Sequence, residues 1–204
     1  MSNLFYRVLI CVPSYPYVEP ETLKSAENQQ KYFSGMTDIF IGVYNHCDPT
    51  SARWGENLVR KQNDARRIVF NLNYTHLFLI EADVIPPENA LNELMKLNKA
   101  VASGWYRLHS HSEDLEGKTS IFQYRDKRLV SLRPDVDFKP PEVVKVDFSI
   151  LGCTLIQKNV LWNVKFDIGI DASFSQGCKQ HGHDMWVHTG VKCDHKDRYK
   201  KEGI

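Results

Sequence analysis

The sequence predicts an α/β domain in which a mainly parallel central sheet carries helices on both faces, with one small irregular or β-rich insertion. Short apolar runs alternate with amphipathic stretches through the first half of the chain. The runs are continuous rather than alternating, as expected of strands buried on both faces. The 204 residues, 42% hydrophobic and 25% charged, suit a single core. No repeat or linker divides them, so one domain is expected over residues 1–204. Its halves are 1–104 and 105–195, followed by a basic tail at 196–204.

In order, "YRVLICV" reads as a buried strand, "PETLKSAENQQKYF" as a helix and "DIFIGVY" as a second strand. "GENLVRKQNDARRIVFNL" is a second helix and "THLFLIEAD" a third strand. "PENALNELMKLNKA" is a third helix, with Pro87 suited to its first turn, and "AVASGWY" is a fourth strand. From residue 105 polar segments, short β-like runs and a Pro-Pro break read as an irregular or hairpin-rich insertion. "VVKVDFSILGCTLI" is then one strand, and residues 171–195 read as a short helix closed by Gly182 and two short strands.

A net charge of +1 and a pI of about 7.7 give no global bias toward nucleic acid or an anionic membrane, so any anion must be held locally. The apolar segment before Pro13, about six residues, is too short for a signal peptide or a membrane span. A cytoplasmic protein without a transmembrane segment is expected. Five cysteines without framework spacing read as reduced thiols.

Sheets of this kind bind ligands beyond the carboxyl ends of their strands, and three polar stretches fall there: "PSYPY", "NHCDP" and "EADVIPP". In the last, Glu81 and Asp83 repel each other unless something offsets the cost. A divalent cation with phosphate oxygens as co-ligands would do so. An ordinary turn, with Asp83 bonded to nearby amides and Glu81 solvated, also accounts for the pair.

"LIEADVIPP" resembles the D-x-D strand end of family-2-like GT-A glycosyltransferases, with Glu81 in place of the first Asp and Asp83 keeping the second. Asp171, followed by Phe174, Gly182 and His195, is similar to the family's E-D motif and its downstream Gly and His, with Ile170 where Glu is usual. "CVPSYPY" resembles the segment that contacts the nucleobase. The resemblance covers roughly residues 7–195, and the chain's size is like that of minimal microbial or viral members.

The resemblance implies a single GT-A, Rossmann-like domain that transfers a sugar, with inversion, from a nucleotide-diphosphate donor (a UDP- or GDP-sugar) to a glycan, protein or lipid hydroxyl. It makes Asp171 the catalytic base, and Asp83 with His195 the ligands of Mn²⁺ or Mg²⁺. It places Pro13, Ser14, Tyr15, Asp48, Arg66, Glu81 and Asp83 against the donor, Tyr15 by stacking on the base. Gly104 and Gly152 would admit close backbone approach, and Trp105 would stack on a sugar.

Each residue also has a plainer account. Asp171 suits the first turn of a helix, His195 an exposed site beside the tail, Tyr15 and Asp48 turns, and Arg66 a solvated helix face. Trp105 and Tyr106 equally suit a core. The His-rich pieces "HSHSED" and "HGHDMWVH" lack H-E-x-x-H, and no C-x-x-C occurs, so zinc is weakly supported. A nucleotidyltransferase would be expected to carry a Gly-rich loop near the first strand, where "VPSYPYVEP" has no Gly. A non-catalytic sugar or nucleotide binder would keep Tyr15 and Asp83 without needing Asp171.

Overall fold

The structure is a computed structural model that describes residues 6–14, 18–43, 53–109 and 117–196. The first half runs β1 (Arg7–Ser14), α1 (Pro20–Tyr32), β2 (Met36–Val43), α2 (Arg53–Asn71), β3 (His76–Ile80), β4 (Val84–Ile85), α3 (Ala90–Lys96) and β5 (Val101–Trp105). Then come β6 (Ile121–Arg125), β7 (Arg128–Ser131), β8 (Val143–Val146), β9 (Phe148–Ser149), β10 (Cys153–Gln157), α4 (Lys158–Asn163), α5 (Ile170–Gln180), β11 (Met185–Lys192) and β12 (Asp194–His195).

The central sheet has seven strands in the order β2-β1-β3-β10-β5-β11-β8. The pairs β1–β2, β1–β3 and β5–β11 are parallel, while β10 runs against β3 and β5, and β8 against β11. Alternate side chains of one strand feed opposite faces, as the pleat requires. Leu9 and Cys11 pack with Ala65 and Val69 of α2, Leu161 of α4 and Phe174 of α5. Val8, Ile10 and Val12 pack with Ala26 of α1 and with Leu91 and Leu94 of α3. Both faces are therefore covered, which explains why the strands read as unbroken apolar runs.

Two expectations are corrected in detail. Residues 143–156 form three strands rather than one: β8 joins the central sheet, β9 pairs with β6, and β10 enters between β3 and β5. A continuous strand of that length would span about 46 Å, far beyond its five-residue neighbours, so the run bends between sheets. The third helix starts at Ala90 rather than at Pro87, whose carbonyl accepts the Ala90 N–H at 2.9 Å.

The insertion is a small sheet, β7-β6-β9, whose hairpin turns through Asp126 and Lys127, both at positive φ. Gly182, at φ +72°, closes the turn after α5. Cys11, Cys153, Cys178 and Cys193 are free and buried, and Cys47 lies outside the described residues. No helix among the described residues is long and apolar enough to cross a membrane.

Candidate active site

Strands β1, β2, β3, β5 and β11 share one direction, so the chain leaves all of them at the same edge of the sheet. There Glu81, Ala82 and Asp83 make a tight turn. The Val84 N–H reaches the Glu81 carbonyl at 3.0 Å, and the Glu81 N–H reaches the Gly152 carbonyl at 3.0 Å. Ala82 is buried, and its carbonyl accepts the Glu19 N–H. The turn thus faces the two acids away from the core residue between them.

β12 pairs antiparallel with β4, with His195 opposite Val84. This ladder carries His195 Nε2 to 3.9 Å from Asp83 Oδ2. Ligand atoms held about 2.0 to 2.2 Å from one ion can lie at most about 4.4 Å apart, so the pair is within reach of a shared divalent cation. His195 Nδ1 lies 3.2 Å from the Arg107 carbonyl and 3.3 Å from the His109 N–H. The two contacts belong to different tautomers: a proton on Nδ1 donated to the Arg107 carbonyl leaves the Nε2 lone pair toward Asp83, whereas Nδ1 accepting the His109 N–H puts the proton on Nε2, facing the Asp83 carboxylate. Among the described residues, no group of three His, Cys, Asp or Glu is assembled for a metal. A carboxylate and an imidazole so placed would suit Mg²⁺ or Mn²⁺ completed by phosphate and water oxygens.

Tyr106, the residue after β5, is buried and donates from its hydroxyl to Glu81 Oε2 at 3.0 Å. Its pKa is raised well above the usual value, first by burial and then by the charges of Glu81, Asp171 and Asp83. Asp171 is tied to the same turn through the backbone: its Oδ1 accepts the Leu151 N–H, and the carbonyl of the next residue, Gly152, accepts the Glu81 N–H. The Tyr106 ring also packs against His195 with centroids 5.0 Å apart, and His109 stacks on His195 at 5.4 Å.

Asp171 sits in the first turn of α5, and its Oδ1 accepts the Leu151 N–H at 3.1 Å. Burial pushes its pKa up to about 6, against the lowering effect of hydrogen bonds from Leu151 and its own amide. The chain enters α5 through Gly169 at φ +95° and Ile170 at φ +41°. A β-branched residue is strained there, a form of strain that concentrates at functional sites. Ile170 occupies the position where the resemblance expects Glu.

Gly152 is required by close approach. A Cβ there would collide with the Tyr106 hydroxyl and come within 2.7 Å of Glu81 Oε2. Gly104 instead serves packing, since a Cβ would meet Val191 at 2.8 Å and Cys153 Sγ at 3.2 Å.

Of the sequence-nominated residues, Glu81, Asp83, Asp171 and His195 meet at this edge. Pro13 is buried in β1 opposite Gly42, and Ser14 ends that strand. Tyr15 and Asp48 lie outside the described residues. Arg66 is not brought to the edge. Thirteen residues into α2, it lies about 20 Å from the helix start. Its Nε donates to the Leu161 carbonyl at 2.6 Å, and its guanidinium lies 5.2 Å from the Phe70 ring centre. Its surroundings tie α2 to α4.

Trp105 belongs to the core rather than to a sugar platform. It is 3% exposed, donates to the Thr189 carbonyl at 2.7 Å and meets Phe138 edge-on. Its neighbour Tyr106, on the opposite face of the strand, is the residue that sequence reasoning undervalued. The signal lay in "WYRLH", where a strand leaves the sheet at its carboxyl edge with a polar-tipped aromatic. His109 and the Leu151 amide carried no such signal.

No protein-family model and no curated protein matches this sequence. Solved structures do match in fold. A197 from STIV superposes with a TM-score of 0.57 at 16% identity, over 94% of this chain and 86% of that one. Glucosyl-3-phosphoglycerate synthase from Mycobacterium tuberculosis, in complex with Mn²⁺, UDP and glucosyl-3-phosphoglycerate, gives 0.53 at 12% identity, over 97% and 75%. UDP-glucose pyrophosphorylase from Acinetobacter baumanii gives 0.52 at 9% identity, over 93% and 88%. The chain thus has the GT-A-like α/β fold found in a nucleotide-diphospho-sugar transferase and a sugar nucleotidyltransferase.

Proposed function

We propose that this protein is a metal-dependent glycosyltransferase that moves a sugar from a nucleotide-diphosphate donor, a UDP- or GDP-sugar, to an acceptor hydroxyl with inversion. The observation that carries the reading is the approach of His195 to Asp83 at the carboxyl edge of the sheet, with Asp171 held by the Leu151 N–H one residue before Gly152, whose carbonyl accepts the Glu81 N–H. A structure of similar fold bound Mn²⁺ and UDP, which supports the metal and the uridine alternative.

In this reading Asp83 and His195 would hold Mn²⁺ or Mg²⁺, whose chemistry there would be to offset negative charge on the departing nucleoside diphosphate. Tyr106 fixes Glu81 beside Asp83. The Leu151 amide fixes Asp171 at the start of α5, where its carboxylate accepts the acceptor's proton as the hydroxyl attacks the anomeric carbon. A pKa of about 6 leaves this carboxylate ionised at neutral pH, yet more basic than an ordinary aspartate. Pro13, Ser14, Tyr15 and Asp48, at or beyond the ends of β1 and β2, would form the nucleoside end; Arg66 is set aside.

A nucleotidyltransferase is the second reading, favoured by the pyrophosphorylase of similar fold. The test is a thermal-shift screen of UDP, GDP, UTP and their sugars with and without Mn²⁺, followed by product analysis. Specific ligand binding raises apparent stability. A Mn²⁺-dependent shift with a nucleotide sugar and release of nucleoside diphosphate support transfer. Pyrophosphate release from UTP with a sugar 1-phosphate supports the second reading. No metal-dependent shift sinks both.

A further inference from the structure

Beside the candidate site, an open groove of about 960 Å³ lies along the β6–β7 hairpin. Among the described residues its lining includes Arg107, Lys118, Arg125, Arg128 and Arg133 against one carboxylate, Asp137. In a chain whose net charge is only +1, this is a local concentration of cations. Asp137 is committed: the Arg133 N–H and the Arg125 guanidinium hold its carboxyl below the usual range. It thereby orients Arg125 and Arg133 along the groove. Arg128 and Lys118, both exposed, form no ion pair among the described residues.

The groove is joined to the catalytic cluster through the backbone. Arg107 pairs with Thr119, and its carbonyl meets His195 Nδ1. On the other side the Ile150 N–H bonds the Ser120 carbonyl, and the next residue, Leu151, bonds Asp171. In the sheet, β3, which the two acids follow, lies between β1 and β10, and β10 separates it from β5, the strand that leads to Arg107. The groove's Arg107 end therefore adjoins His195, while its Arg125–Arg128 end lies by Tyr124, which Lys179 of the last turn of α5 covers. Forked guanidiniums favour phosphate and carboxylate oxygens.

We propose that this groove holds the acceptor by an anionic group, a phosphate or carboxylate, placing its hydroxyl toward Asp171. The proposal rests on the transferase reading, which the Mn²⁺-dependent nucleotide shift tests separately. The experiment is calorimetric titration of the intact protein at low salt with glucose, glucose 6-phosphate, glucuronate and inorganic phosphate. Each is repeated with Arg128→Gln/Lys118→Gln, two exposed changes away from the nucleotide. A vesicle arm compares phosphatidylglycerol with phosphatidylcholine.

The expected result is binding of glucose 6-phosphate or glucuronate but not glucose, weakened at least tenfold in the double variant, with its nucleotide shift unchanged. Equal binding of inorganic phosphate would assign recognition to the anion alone and support the same site. Anion binding that the double variant leaves intact, or no anion binding in a protein that shows the nucleotide shift, overturns the proposal. So does charge-dependent binding to phosphatidylglycerol vesicles without binding of any soluble anion, which would make the surface a membrane contact.

Discussion

Asp171→Asn separates a catalytic base from a structural first-turn acid, because the two roles predict opposite signs. The folded pKa of about 6 lies above the unfolded value of 3.8. Between those values the folded state holds a proton that the unfolded state has released, so stability falls as pH rises from about 4 to 6 and stays low above. At 1.36 kcal/mol per unit, the full shift corresponds to about 3 kcal/mol. Asp171 is itself partly exposed while its carboxyl is closely enclosed, and entry of water reduces this to about 1 to 3 kcal/mol.

Asparagine keeps an oxygen for the Leu151 N–H and removes the charge. Urea unfolding should therefore find the variant about 1 to 3 kcal/mol more stable than wild type at pH 8, with the gain shrinking to a few tenths at pH 4. Transfer should slow by roughly 10²- to 10⁴-fold with Mn²⁺-dependent nucleotide binding intact. In wild type, kcat/KM should rise with pH through about 6, and that limb should vanish in the variant. Loss of about 0.5 to 2 kcal/mol at pH 8 with normal turnover would refute the assignment, since that is what removing a helix-terminal acid does.

Asp83→Ala should abolish Mn²⁺-dependent nucleotide binding in a thermal-shift titration, and His195→Ala should weaken it by about 10- to 100-fold. Gly152→Ala should cost about 1 to 3 kcal/mol in denaturant unfolding, as its Cβ displaces the Tyr106 hydroxyl from Glu81. His76, buried at the start of β3, has its pKa lowered to about 4 by burial. Its contribution is present above pH 6.5 and is lost as pH falls toward 4, by up to about 3 kcal/mol. His76→Gln should flatten that part of the stability profile; an unchanged profile would contradict the burial argument.

Much of the fold was legible because burial on two faces leaves a simple trace. "RVLICV" and "HLFLI" are continuous apolar runs since helices cover both sides of the sheet. The acids of "LIEADVIPP" were legible for a related reason: charge at the end of such a run falls at a strand's carboxyl edge. Arg66 misled because a helix face reads the same whether a nucleotide or another helix lies against it. Trp105 and Tyr106 were ambiguous because one residue's slip along a strand reverses the face, and only the register distinguishes core from site.

The sequence by itself determined the layers, the edge at which the polar stretches gather and the identity of the candidate acids, since hydrophobic periodicity and chain direction are local properties. Tertiary structure alone decided that β12 returns to β4 to set His195 against Asp83, and that the buried Tyr106 hydroxyl bonds Glu81. It also bent residues 143–156 into three strands of two sheets and laid the arginines of β6 and β7 along one groove. Those outcomes depend on contacts between residues far apart in the chain, whose closure is governed by packing of the whole domain and leaves no period in the sequence.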